Sequence, residues 1–377
     1  MIKQDIAMRR QRPPFRADHV GSLLRTAPLK DARLSQARGE ITASQLREVE
    51  DREVTAIIRQ QEAIGLKLAT DGEFRRAWWH FDFLEHLDGV ESYTTEHGIK
   101  FKGIETKSKN VRVVGKIDFS LDHPMLAHFH FLKAHTKVTP KLTIPSPSVL
   151  HFRGGRSAIS PEVYPDLDLF FADLGAAYRK AVRAFADAGC RYLQFDDTVW
   201  AYLCSAEQRE QARARGDAPE TLPAIYAQMI NQAIDGRPSD MAITTHVCRG
   251  NFRSTWISEG GYEPVAEIML GATHYDGYFL EYDTERAGGF EPLRFLPKGQ
   301  KQVVLGLVTS KFGTLEDKGE IKRRIEEAGA YVDISQLCLS PQCGFASTEE
   351  GNILAENEQW AKLAMIVELA DEVWGKS

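Results

Sequence analysis

The chain has no apolar run long enough to cross a membrane, and its opening residues, MIKQDIAMRRQRPPFR, lack the apolar core of a secretory leader. These absences predict a cytoplasmic protein with no membrane partner. A surplus of positive charge is missing too, since 47 Lys and Arg stand against 53 Asp and Glu for a net charge of -6. Nucleic acids are bound through a concentrated basic footprint, so no nucleic acid partner is expected. The pairs Arg9-Arg10, Arg75-Arg76 and Arg323-Arg324 are too scattered to form one. Cysteine is scarce and odd in number, with only Cys190, Cys204, Cys248, Cys338 and Cys343 among 377 residues. That argues against a disulfide framework and for reduced thiols that can serve as metal ligands. No low-complexity linker and no repeat of solenoid length divides the chain.

With 43% hydrophobic and 27% charged residues, the chain has ample material for a core. Its organisation repeats one theme: an amphipathic helix, a short turn often holding glycine, then a brief apolar run ending in polar residues. Helices are expected over 44–64, 166–187, 222–234, 262–270 and 315–328. Strands are expected at 19–22, 66–70, 138–144, 190–195, 241–247, 277–282, 303–307 and 336–340. About eight strands alternating with helices predict an α/β fold of the (β/α)₈ TIM barrel type, with a doubly wound open sheet as the alternative. The segment 91–117, with Tyr93-Thr94-Thr95 and Val111-Arg112-Val113-Val114, reads as a β-hairpin inserted after the second strand. A single catalytic domain over 1–377 is the simplest organisation.

A TIM barrel carries its chemistry at the C-terminal ends of its strands. Those ends supply Ser22, Asp71, Glu73, Asp196, Asp197, His246, Cys248, Glu281, Asp283 and, past the last strand, Cys343. In ITTHVCRGN, positions two apart on an extended chain face the same way, so His246 and Cys248 can address one ion. Alone, such a pair is more often two core residues than a ligand pair. Cys343 lies in the turn SPQCG, beside a glycine that allows close backbone approach, and Glu281 ends the apolar run Tyr278-Phe279-Leu280. A buried carboxylate persists only if paired or metal-bound. Two thiolates, an imidazole and a carboxylate suit Zn²⁺ better than magnesium or calcium. Cys190 and Cys338 fall within strands and read as core, and Cys204 has no evident partner.

The ordered set DHVGSLLR, TDGEFRR, LQFDD, THVCRGNF, FLEYD and SPQCGF resembles the catalytic half of cobalamin-independent methionine synthases in their short, single-barrel form. The resemblance runs from Phe15 to the C-terminal helix. It implies that His246, Cys248, Glu281 and Cys343 are zinc ligands. It also implies that Glu73 and Asp196 hold the α-amino group of homocysteine, while the turn Val20-Gly21-Ser22 binds its α-carboxylate through N–H groups and the serine hydroxyl. The ordinary alternatives are a salt bridge from Glu73 to Arg75 or Arg76 and a helix cap for Asp196.

The implied activity is zinc-dependent methyl transfer to the sulfur of homocysteine, giving methionine, with the thiolate as nucleophile. The implied donor is methyltetrahydrofolate or a methylcorrinoid, free or protein-bound. Two departures from the long enzyme bear on that donor: the chain has length for one barrel rather than two, and Lys311 stands where the long enzyme has a histidine proton donor. A folate amine needs a proton to leave and a corrinoid does not, so the departures point to a small or non-folate donor. The proton donor is left unassigned, with Lys311 and His80 as candidates; His80 lies in the aromatic run Trp78-Trp79-His80-Phe81, which reads equally as a lid. Two other functions share the zinc site: alkyl transfer to another thiol, as in epoxyalkane:coenzyme M transferases, and non-catalytic zinc or thiol binding. Oligomeric state is not legible in the sequence.

Overall fold

Runs such as Val303-Val304-Leu305-Gly306-Leu307-Val308 show no alternation of polar and apolar residues, the pattern of strands covered on both faces. The computed structural model, which describes residues 10–94, 100–101, 104–105, 109–251 and 253–376, places these runs in one sheet. Its strands are β1 (Leu68–Ala69), β2 (Thr139–Pro145), β3 (Tyr192–Asp197), β4 (Ala242–Val247), β5 (Gly277–Glu281), β6 (Gln302–Val308) and β7 (Leu337–Pro341). All pair in parallel with their sequence neighbours, so chain order and sheet order coincide. The sheet curls, and the segment 16–23 lies between its two edges. On one side the Asp18 N–H donates to the Leu339 carbonyl (3.0 Å) and the Leu339 N–H to the Arg16 carbonyl (2.8 Å); on the other, the Leu23 N–H donates to the Gly72 carbonyl (3.0 Å).

That segment differs from expectation. The strand expected at 19–22 does not form, because its carbonyls are taken by side chains reaching across the barrel interior instead of by a ladder. Lys141 Nζ donates to the His19 carbonyl (2.6 Å), Gln194 Nε2 to that of Val20 (2.7 Å) and Thr70 Oγ1 to that of Gly21 (2.6 Å). Gly21 turns the chain at φ 142°, and a Cβ there would lie 2.6 Å from Thr143 Cγ2. Only glycine fits this bend.

The outer layer is helical. The helix Ala43–Ala63 starts with a reciprocal capping box between Thr42 and Gln45. The helix Leu167–Asp187 buries Phe170, Phe171, Leu174, Ala177, Tyr178, Ala181 and Phe185 along one stripe. The helix Leu222–Ile234 packs beside it, so closely that a Cβ on Gly175 would meet Gln232 at 2.6 Å. The helix expected over 262–270 starts as α over Glu263–Ala266 and widens into a π turn over Glu267–Ala272. Its carbonyls are drawn outward there: Lys301 Nζ takes those of Leu270 (3.0 Å) and Thr273 (2.6 Å). The inserted ribbon pairs Asp88–Thr94 antiparallel with Lys109–Asp118, and a short pair, Lys100–Phe101 with Ile104–Glu105, lies between them. The rest of the segment expected as a hairpin, residues 95–99, 102–103 and 106–108, lies outside the described residues. Among the described residues no helix is long and apolar enough to cross a membrane.

Candidate active site

Two strand ends and the turn after a third strand deliver thiol, imidazole and carboxylate groups to one point. His246 sits near the end of β4 and Cys248 just beyond it, Glu281 closes β5, and Cys343 follows β7 by two residues. One donor atom from each lies within 4.8 Å of all the others, and all four residues are buried. Cys248 Sγ and Cys343 Sγ are 3.5 Å apart, close to the roughly 3.8 Å separation that a tetrahedral ion with sulfur ligands at about 2.3 Å requires. Both ring nitrogens of His246 and the Oε2 of Glu281 are buried with no hydrogen-bond partner. Orphaned buried donors and acceptors are costly, and a cation at this point would satisfy them. The residues therefore fit a tetrahedral N/S/O metal site. The other carboxylate oxygen is fastened, since Glu281 Oε1 accepts the Arg249 N–H at 2.8 Å, and the Gly250 N–H points at Cys248 Sγ at 3.3 Å. The hydrogen bond from Cys248 holds the Cys343 sulfur well below the usual thiol range, and Cys248, which keeps the shared proton, is pushed up. Burial pulls the His246 imidazole down, but the Cys343 thiolate beside it outweighs this and the ring is raised.

Across the same mouth stand two carboxylates. Glu73 adopts a left-handed backbone (φ 59°), a strained conformation for a residue with a side chain. The strain aims its carboxylate inward, where Oε1 accepts Thr143 Oγ1 (2.9 Å) and Oε2 has no hydrogen bond. Arg76 Nη1 lies 3.8 Å from that Oε2. Asp196 Oδ1 accepts Gln194 Nε2 (2.7 Å). Burial raises the Asp196 carboxyl to about 7, with the neighbouring Glu73 adding to the rise. Burial also raises Glu73, opposed by Arg76 and Arg25. Two crowded carboxyls, each with one oxygen committed, put a concentrated negative charge on this side of the mouth, which an ammonium group would neutralise. Ser22 approaches the Cys343 turn, its Oγ accepting the Ala346 N–H at 3.4 Å. A Cβ on Gly344 would lie 2.0 Å from that Oγ, so glycine is required there.

Val20, Ser22, Glu73, Asp196, His246, Cys248 and Cys343 all line one cavity. Glu281 stands behind the wall, fully buried. The two candidate proton donors are not on the wall. His80 is fully buried behind Trp78 and Trp79, its ring 4.4 Å from that of Trp79 and 3.9 Å from that of Phe81. Lys311 is 3% exposed and its Nζ has no hydrogen-bond partner.

Sequence reasoning missed wall residues outside the motifs, Arg153, Thr198, Tyr202, Ser347 and Thr348, and gave no role to Asn251 within THVCRGNF. It also left two neighbour pairs undivided. Arg75 turns outward to Glu50 and Asp51, whereas Arg76 turns in, giving Nη2 to the Thr143 carbonyl (2.6 Å). Asp197 faces away from Asp196, as strand alternation demands, and accepts Ser148 Oγ (2.7 Å) and the Val199 N–H (2.7 Å). Asp196 caps no helix; the first N–H of the helix Val199–Cys204 is met instead by Asp197, one residue before its N-cap Thr198.

A curled parallel sheet, its two edges bridged by the segment 16–23, with polar side chains gathered at the C-terminal ends of its strands is the architecture of a TIM-barrel-like enzyme. Within that class the chain belongs to the cobalamin-independent synthase family: residues 15–372 match its catalytic domain. It is therefore a methyltransferase. It is 55% identical to uncharacterized protein YxjG of Bacillus subtilis (strain 168), over 98% of this chain and 97% of that one. A solved structure from Listeria monocytogenes, provisionally named a vitamin-B12 independent methionine synthase, superimposes with a TM-score of 0.80 at 48% identity, covering 97% of this chain and 100% of that one. The 5-methyltetrahydropteroyltriglutamate–homocysteine methyltransferase of Lactiplantibacillus plantarum is 22% identical over 89% of this chain but only 40% of its own length.

Proposed function

We propose that the protein transfers a methyl group to the sulfur of homocysteine to give methionine, acting as one catalytic domain with Zn²⁺ held by His246, Cys248, Glu281 and Cys343. The observation that carries this reading is that the four-residue cluster and the carboxylate pair line or back a single cavity. A ligand with a thiol at one end and an α-amino group at the other would engage both. Zinc bound there would lower the pKa of an incoming thiol and present it as a thiolate at neutral pH.

The protein's own groups do the rest. Glu73 Oε2 and the second oxygen of Asp196 take the ammonium, and the Val20–Ser22 turn faces the carboxylate. Trp78 and Trp79 form an apolar wall that keeps water from the nucleophile. An acceptor with a sulfonate in place of the amino group, such as coenzyme M, would meet two carboxylates and be repelled, so the alternative of alkyl transfer to such a thiol is disfavoured.

The methyl donor is a small or non-folate molecule on this reading, because Lys311 replaces the histidine of the long enzyme and neither Lys311 nor His80 reaches the cavity wall. The test is an assay of zinc-loaded protein with homocysteine and a panel of donors. Methionine formation from methylcobalamin faster than from methyltetrahydrofolate is expected; equal rates would overturn the donor assignment, and no methylation of homocysteine by any donor would overturn the acceptor. A purely structural zinc site predicts no change at the metal on adding homocysteine.

A further inference from the structure

Lys311 is a buried ammonium without a hydrogen bond on a backbone that is firmly held. On one side of it the Ser310 N–H and Oγ both donate to Gln342 Oε1 (2.7 and 2.8 Å), and Ser310 Oγ also reaches the Gly344 carbonyl (3.1 Å). Asn352 Nδ2 donates to the Ser310 carbonyl (2.9 Å) and Ser254 Oγ to the Lys311 carbonyl itself (2.8 Å). The loop is thereby clamped to the residues on either side of Cys343. In the sheet, Gly306 on β6 is in register with Glu281 on β5, and Val308 with Pro341 on β7, so the chain leaving β6 passes over both Glu281 and the Cys343 turn.

An unpaired buried cation costs several kcal/mol unless an anion compensates it. Glu281 offers that anion. Its Oε1 is occupied by the Arg249 N–H and its Oε2 is bare. Burial pushes the Glu281 carboxyl up, and Lys311 is the charge that opposes this most strongly. A second buried cation, the Arg249 guanidinium, stacks on Tyr262 at 4.5 Å. Four protein donors already fill a tetrahedral ion, so an entering thiolate needs one of them to leave if the ion is to stay four-coordinate.

We propose that Lys311 is a positioning residue that receives the Glu281 carboxylate when the acceptor thiol takes its place on the metal. The inference rests on the zinc-thiol reading above. With zinc bound by the four residues, the exchange would balance as one carboxylate–metal bond broken and one sulfur–metal bond formed, the thiol proton passing to solvent, the freed Glu281 carboxylate being received by the Lys311 ammonium while Oε1 keeps the Arg249 N–H. The hydrogen bond to Arg249 acts as the pivot.

The test uses zinc-loaded wild type, K311M, K311Q and K311R, with zinc content, zinc K-edge absorption with and without homocysteine, and homocysteine affinity by calorimetry. Wild type is expected to lose an oxygen neighbour and gain a sulfur. K311M and K311Q are expected to keep full zinc and the resting spectrum, to bind homocysteine at least about tenfold more weakly, and to retain the oxygen neighbour; K311R is expected to restore exchange. If K311M and K311Q exchange and bind as wild type does, or if they lose zinc at rest, the role of Lys311 is overturned while the zinc-thiol reading stands. If wild type itself shows no gain of sulfur, that reading falls, and this inference with it.

Discussion

Replacing Asp196 by asparagine isolates one charge in the proposed amino-acid pocket. Asp196 Oδ1 is already committed to Gln194 Nε2, so one oxygen remains for a ligand ammonium, and a single charge-assisted hydrogen bond is at stake. Its loss costs about 2 kcal/mol, or roughly 30-fold in affinity. The wild-type pH profile carries a second signature. The Asp196 carboxyl stands at about 7 in the free protein, so it is about 90% ionised at pH 8 and about 10% at pH 6. A carboxyl raised in this way binds an ammonium fully above its pKa and progressively less below it. Affinity should therefore fall about tenfold from pH 8 to pH 6. Methionine is the ligand to use, because it has no thiol whose own ionisation would confuse the profile. Isothermal titration of zinc-loaded wild type should show the tenfold fall, and D196N should bind about 30-fold more weakly at pH 8, with only the pH dependence that Glu73 supplies. Equal affinity in D196N at pH 8, or a flat wild-type profile, would refute the placement of the ammonium at Asp196.

Cys248→Ser should abolish zinc retention and methyl transfer while circular dichroism still shows a folded barrel, because the side chain sits at a rim and not in a strand; metal analysis after desalting checks this. Lys141→Met should lower stability by about 3–5 kcal/mol, since it strands Asp18, which Lys141 Nζ meets at 3.0 Å with both side chains fully buried; urea unfolding measures it. Gly344→Ala should displace Ser22 and raise the KM for homocysteine by about tenfold, the worth of one hydrogen bond, with the melting temperature compared to separate local from global damage.

Much of this arrangement is visible in the chain because parallel strands are written as uninterrupted apolar runs and their ends as abrupt changes to polar residues. His246, Cys248, Glu281 and Cys343 stand at such ends, and the structure brings them within one ion's reach. What stayed hidden depends on contacts made from far away in sequence. Nothing local distinguishes Arg75 from Arg76; the difference is Thr143, which offers its carbonyl to only one of them. The stretch 19–22 has the residues of a strand, yet Lys141, Gln194 and Thr70 claim its carbonyls. His80 shares its aromatic run with Trp78 and Trp79, and only packing decides that the tryptophans meet the cavity and the histidine does not.

Those three claimed carbonyls tie the ring together from within. The stretch 19–22 is held by Lys141 and Gln194, which β2 and β3 aim into the interior, while the residues flanking it bond the backbones of the two sheet edges. The stave that carries Val20 and Ser22 therefore depends on both edges and on the interior at once. A sheet without that stave would still carry His246, Cys248 and Cys343 but would lack the Val20–Ser22 turn, so under the proposed function acceptor binding doubles as a report that the ring is complete.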